Sequence, residues 1–258
     1  MSEKRIATGG NVVRLNRFLA QCGIGSRRAC DELIASGHVY RNGVRVAEMG
    51  LKIDPANDLI EYRGKEVRRI AASEYFAYYK PREVMVTAAD PEGRTTIYDA
   101  LAKGGYDMRH LRYVGRLDYQ SEGLLLLTNN GDVIHALTHP RFNIKKVYHV
   151  KVERRLTDDE INTLLGGVES RGIRLTAGAV RPISMDGDGR KQYWYEIDLY
   201  EGKNRQLRRM FESISVLVGR LRRVQFGPIK LGSLCPGMVR PLTPREISAL
   251  KHTGFRIS

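Results

Sequence analysis

Short apolar runs and their spacing divide the chain into small elements. Leu15, Phe18, Leu19 and Cys22 recur at i, i+3, i+4 and i+7, which predicts an amphipathic helix that Gly23 ends. Ser26 is placed to cap a second helix, with Cys30, Leu33 and Ile34 inward and Gly37 at its close. His38 to Val46 then alternates about Asn42-Gly43, the pair that a type I′ hairpin requires. Glu74 to Tyr79 predicts an aromatic-rich strand stopped by Lys80-Pro81, and Leu111 to Val114 a short strand. Leu124 to Leu127 is too short for helical periodicity and predicts a buried strand. Asp132 to Leu137 predicts a brief helix ending near Pro140. Tyr148, Val150 and Val152 share one strand face, with Lys151 on the other. Thr157 and Glu160 form a capping box for a helix that stops at Gly166-Gly167. Residues 170–191, glycine-rich and basic, predict a strand with a flexible hairpin at Met185 to Gly189. Tyr193, Tyr195, Ile197 and Leu199 line a strand face, and Leu207, Met210, Phe211 and Ile214 form the buried stripe of a helix. Thr243-Pro244-Arg245-Glu246 caps a last helix.

Charge changes this picture most. Against 29 acidic residues stand 43 basic ones, a net +14 over 258 residues, which favours a polyanionic partner, nucleic acid above all. A membrane surface is the rival partner, weakened because no long apolar run and no lipidation motif is present. Residues 1–12 are polar and glycine-bearing, so a disordered start and no secretory signal are expected. Cys22, Cys30 and Cys235 lack CxxC spacing and read as reduced thiols of a cytoplasmic protein; the six histidines form no ligand pattern, so neither metal nor cofactor is expected. On the small N-terminal unit the basic residues are Arg14, Arg17, Arg27, Arg28 and Arg41. Arg27 and Arg28 open the second helix, where its dipole favours a phosphate oxygen, although a solvated basic face is the simpler alternative. From Glu201 to Arg223 there are seven basic residues and two acidic ones, with Arg205, Arg208, Arg209 and Glu212 on a stripe beside the apolar one. Arg116 and Asp118 lie in a Gly-bounded loop that feeds the leucine strand. Such a pair is either an ion pair holding a turn or a reactive carboxylate on a rigid support.

The string Gly115-Arg116-Leu117-Asp118-Tyr119-Gln120-Ser121-Glu122-Gly123, with the leucines and Thr128-Asn129-Asn130-Gly131 after it, resembles the signature of ribosomal RNA pseudouridine synthases of the RsuA/RluB type. Residues 14–43 resemble an S4-type RNA-binding module, and the resemblance continues over nearly the whole chain from Arg14. It implies an α+β protein: a disordered segment at 1–12, an S4 module at 13–72, and a catalytic domain at 73–258. The catalytic domain would have a mixed, mainly antiparallel sheet and a central basic cleft. The implied activity is isomerisation of uridine to pseudouridine in ribosomal RNA without cofactor; nothing in the sequence sets an oligomeric state, and a monomer is the default expectation. Asp90-Pro91-Glu92-Gly93-Arg94 resembles the large-subunit branch. By the same resemblance Asp118 is the catalytic carboxylate, Arg208 of the Glu201 to Met210 motif its ionic partner, and Tyr148 the ring stacked on the target base. Arg116 takes the place of the extruded nucleotide, and Lys80, Lys146, Arg205 and Arg209 contact RNA together with Arg14, Arg17, Arg27 and Arg28. One departure stands out: Lys80-Pro81-Arg82-Glu83 carries glutamate where the family has glycine, which suits a backbone without positive φ. The rival from another class is a non-catalytic S4-type RNA-binding or ribosome-assembly factor; the same reaction on 16S RNA is a second alternative.

Overall fold

The computed structural model describes residues 12–68, 72–184 and 192–252. The chain forms two compact units, 1–73 and 74–258. The expected disordered start at 1–12 (but for Val12) and the expected hairpin at Met185 to Gly189 lie outside the described residues.

In the first unit β1 (Val13–Arg14) leads into α1 (Leu15–Gln21) and α2 (Arg27–Ala35). Leu15, Phe18, Leu19, Cys30 and Ile34 meet in one small core, as their spacing predicts. Ser26 caps α2 by accepting from the Ala29 amide at 3.1 Å. The strands β2 (Val39–Arg41) and β3 (Val44–Val46) pair around Asn42 (φ 53°) and Gly43 (φ 77°), the two positive φ angles of a type I′ turn. β4 (Lys52–Ile53) pairs with β1; β5 (Ile60–Tyr62) joins β2, and β6 (Lys65–Glu66) joins β5. Arg14, Arg27 and Arg28 are exposed, and Arg17 is half-buried. Arg41 forms an ion pair with Asp58 at 2.9 Å.

The second unit is built on one mixed sheet. Its elements are β7 (Tyr75–Lys80), α3 (Ile97–Lys103), β8 (Arg112–Val114), β9 (Glu122–Thr128), α4 (Gly131–Thr138) and a 3-10 turn at Pro140–Phe142. They continue with β10 (Lys146–Val152), α5 (Asp158–Gly166), β11 (Val168–Ser170), β12 (Ile173–Leu175), β13 (Ala179–Ile183), β14 (Tyr193–Leu199) and α6 (Gln206–Ser213). β15 (Val218–Phe226), β16 (Ile229–Lys230), β17 (Val239–Pro241) and α7 (Pro244–His252) complete it. The strands run in the order β13-β14-β10-β15-β9-β7-β17, with β8 on β9 and β16 on β15. Among these pairings β9 with β15 is parallel and the others are antiparallel.

The leucine strand is buried on both faces. Leu125 and Leu127 enter the core with α3 and α6 residues such as Ile97, Leu101, Met210 and Phe211; Leu124 and Leu126 enter the opposite core with Val133, Leu137 and Leu250. That double burial explains an apolar run without alternation. β9 also splits the sheet. One of its edges is taken by β7 over Gly123 to Thr128. The other is shared: β15 holds Glu122 and Gly123, and β8 holds Leu126 to Thr128. β8 and β15 therefore fork from one edge, and the loop Gly115 to Ser121 fills the fork. Among the described residues no helix is long and apolar enough to cross a membrane.

Candidate active site

The loop in the fork is held by its backbone and by the side chains of Leu117, Gln120 and Ser121. Gly115 (φ 68°) turns the chain out of β8, and Leu117 is buried in the main core. With Leu117 anchored, its neighbours Arg116 (exposed) and Asp118 (half-buried) are left facing open space. The Ser121 amide donates to the Asp118 carbonyl at 2.9 Å and the Glu83 amide to the Tyr119 carbonyl at 2.7 Å. Arg82 Nη2 donates to Gln120 Oε1 at 2.8 Å, and Arg208 Nη2 to the Gln120 carbonyl at 3.2 Å. Five of the seven loop residues are thus pinned by these bonds or by burial, while the Asp118 carboxylate makes no hydrogen bond or ion pair among the described residues.

That carboxylate lines a cavity of about 270 Å³ with Arg116, Tyr148, Arg205 and Leu221. Such a volume lies near the small end of ligand cavities, about 300–1,000 Å³. Tyr148 is buried on β10, between Ile197 of β14 and Arg223 of β15. The far wall is the turn from Gly202 to Arg205. It is shaped by buried Gln206, whose Nε2 donates to Glu201 Oε1 at 2.6 Å and to the Thr176 carbonyl at 3.2 Å. Arg205 caps α6 in a left-handed conformation (φ 47°) and is exposed. A second cavity of about 270 Å³ adjoins the first and shares Gly115, Arg116, Tyr148, Gly202 and Lys203 with it. Lys146 lines this one, half-buried, with Nζ donating to the Ile144 carbonyl at 3.1 Å. Among the described residues no group of His, Cys, Asp and Glu could hold a metal ion.

Three expectations change here. Arg208 does not pair directly with Asp118: its guanidinium is occupied by the Val218 and Gln120 carbonyls, both at 3.2 Å, and no ion pair joins the two among the described residues. It remains close enough to interact by charge. Burial and neighbouring Arg205 lower its pKa, and Asp118 opposes the shift. Arg209 is not on an RNA-facing stripe but 6 % exposed, donating from Nε to Ser170 Oγ at 3.1 Å and from Nη2 to the Ser170 carbonyl. β11 packs on that side of α6, which helical spacing alone does not reveal. Lys80 is not a surface contact either. It is wholly buried at the end of β7, with Nζ donating to the Pro81 carbonyl at 2.8 Å. Burial pushes its ammonium from an ordinary 10.5 down to about 7, against the carboxylates of Asp118 and Glu122 and with Arg223 adding to the fall.

The basic cluster behind the site was missed in the sequence. Arg220 and Arg222 hold buried Glu122 at 3.0 and 3.2 Å, and Arg223 is 2 % exposed. An Arg-Leu-Arg-Arg strand carries no mark of which arginines point inward; only the pairing of β15 beside β9 decides it.

Comparison with known proteins agrees with this architecture. Residues 74–213 match the RNA pseudouridylate synthase family, and residues 13–60 match the S4 domain. The chain is 38% identical over 242 residues to the ribosomal large subunit pseudouridine synthase B of Bacillus subtilis, covering 92% of this chain and 95% of that one. It is 38% identical over 246 residues to the protein of that name from Pseudomonas aeruginosa, covering 93% and 62%. A crystal structure of a pseudouridylate synthase superposes with a TM-score of 0.61 at 27% identity, over 92% of this chain and 99% of that one. The chain belongs to the RNA pseudouridylate synthase family.

Proposed function

We propose that this protein isomerises one uridine of ribosomal RNA, in the large subunit, to pseudouridine, with Asp118 as the catalytic carboxylate. One observation carries the assignment of the site: a rigidly held loop presents a carboxylate, without a hydrogen bond or ion pair among the described residues, to a cavity that an aromatic ring also lines. The N1–C1′ bond breaks, the base turns, and a C5–C1′ bond forms; C5 loses a proton and N1 gains one, so the reaction needs no co-substrate. Asp118 acts either by attack at the sugar or as the base that forms a glycal. Tyr148 stacks on the base, with its hydroxyl toward the sugar. Arg208, by holding Gln120 and Val218, keeps the loop against β15, and its charge attracts the Asp118 carboxylate. Arg116 fills the space of the extruded nucleotide, whose unstacking costs about a few kcal/mol and least in a loop or bulge. We assign residues 13–72 to RNA docking, through Arg14, Arg17, Arg27 and Arg28, and 73–258 to catalysis. The large subunit is favoured by the name of the Bacillus subtilis relative and by the Asp90 to Arg94 stretch. The protein acts as a monomer in the cytoplasm.

The test maps pseudouridines in 23S and 16S RNA from cells lacking the protein, complemented with wild type or Asp118→Asn. One 23S site should vanish on deletion and return with wild type only. A 16S site would move the substrate to the small subunit. Survival of every site would leave a non-catalytic assembly factor, and restoration by Asp118→Asn would remove the carboxylate from the reaction.

A further inference from the structure

The second cavity carries more positive charge than its walls neutralise. Arg116, Lys146, Lys203 and Arg223 line it; of the acidic residues only Glu201 does, and Lys203 at 2.8 Å and Gln206 at 2.6 Å already hold that carboxylate. Lys146 and Arg223 both lie over the ring of Phe226, at 5.5 and 4.6 Å from its centroid. Arg223 is 2 % exposed; its Nε donates to the Leu124 carbonyl at 2.8 Å, while its Nη2 has no partner among the described residues. A buried guanidinium nitrogen without an acceptor is costly, and a phosphate oxygen would satisfy it with a charge-assisted bond. Lys146 tells the same story: burial and adjacent Arg223 push its ammonium down to about 8, a shift that an anion between them would reverse.

We propose that this cavity is a phosphate subsite, in which Arg223 and Lys146 hold a phosphodiester flanking the nucleotide that occupies the Asp118 cavity. The inference rests on the proposed function for the identity of that nucleotide. The shared wall of Gly115, Arg116 and Tyr148 is what links the two: a strand whose base stands against Tyr148 on one side has its adjoining phosphate within reach on the other. The subsite would fix the register of the strand without reading its sequence.

The test measures affinity of the full-length protein for a synthetic RNA carrying the mapped uridine, with single methylphosphonates at each flanking position. In wild type, one position should weaken binding about tenfold, the cost of one charge-assisted contact. In Lys146→Met the same neutralisation should cost less, about threefold, because only Arg223 is left to hold the phosphate, and Lys146→Arg should restore the wild-type sensitivity. Equal losses in wild type and Lys146→Met, or no sensitive position, would overturn the subsite. So would inorganic phosphate that binds the wild type but not Lys146→Met and leaves RNA affinity untouched, which would mark a free-anion site. The readout is binding and not turnover. RNA held with this coupling but never isomerised would remove the enzymatic reading and leave the subsite standing.

Discussion

Replacing Lys80 by methionine tests whether a buried ammonium underlies the active-site loop. Lys80 is wholly buried, with the Pro81 carbonyl its one hydrogen-bond acceptor among the described residues, and its pKa falls from 10.5 to about 7. The folded pKa lies below the unfolded one. Between about pH 7 and 10.5 the unfolded chain therefore keeps a proton that the folded chain has released, and stability rises with pH across that window. At about 1.4 kcal/mol per pH unit, the unfavourable contribution at pH 7 is on the order of 4 kcal/mol. Methionine removes it and forfeits one hydrogen bond worth roughly 1 kcal/mol, so a net stabilisation of about 2 to 3 kcal/mol is expected at pH 7, shrinking toward pH 10. Urea unfolding followed by the fluorescence of Trp194, the single tryptophan, reports on this unit. Turnover should respond in the opposite sense. Lys80 and Asp118 interact by charge, so loss of the ammonium should lower turnover. A wild-type-minus-variant stability difference that stays flat from pH 6 to 10 would refute the buried titration. Unchanged turnover would refute the link to Asp118.

Tyr148→Phe keeps the ring and loses the hydroxyl; RNA affinity should hold while single-turnover rates fall, and a wild-type rate would reduce Tyr148 to stacking. Gly123→Ala would place a Cβ 2.4 Å from the Arg223 carbonyl oxygen at a φ of 105°, forcing apart the parallel pairing of β9 and β15. A loss of at least about 3 kcal/mol is expected from the unfolding midpoint, and a loss under about 1 kcal/mol would mean the strands can slide. Arg27→Glu with Arg28→Glu should flatten the plot of log affinity against log salt by about 1.5, or roughly 0.7 per lost phosphate on single strands. An unchanged slope would remove these arginines from the RNA contact.

What the sequence disclosed was local. The spacing of Leu15, Phe18 and Leu19, the cap at Ser26, the Asn42-Gly43 turn and the box of Thr157 with Glu160 are each set within a few residues, and each forms as expected. The Asp118 loop was legible for a related reason: a glycine-bounded polar run entering a double-buried strand has few other places to go. The side chains misread are those whose surroundings come from far away. Arg209 is turned inward by Ser170, 39 residues earlier, and Lys80 and Arg223 are enclosed by strands that meet only in the folded sheet. Glu83 shows the limit from the other side. Its φ is 61°, so the turn does need the positive value that the family's glycine supplies, contrary to expectation, and the amide of this strained residue holds the Tyr119 carbonyl at 2.7 Å. Left-handed backbone costs a non-glycine residue roughly 1 to 2 kcal/mol, while glycine loses about 0.5 to 1 kcal/mol more chain entropy on folding. Glu83→Gly should therefore stabilise the protein by about 0.5 to 1 kcal/mol in the same unfolding assay and leave turnover intact, since the Tyr119 bond uses only the backbone. If Glu83→Gly is instead destabilising, the carboxylate side chain must contribute to the loop, and the strain at this turn is compensated locally.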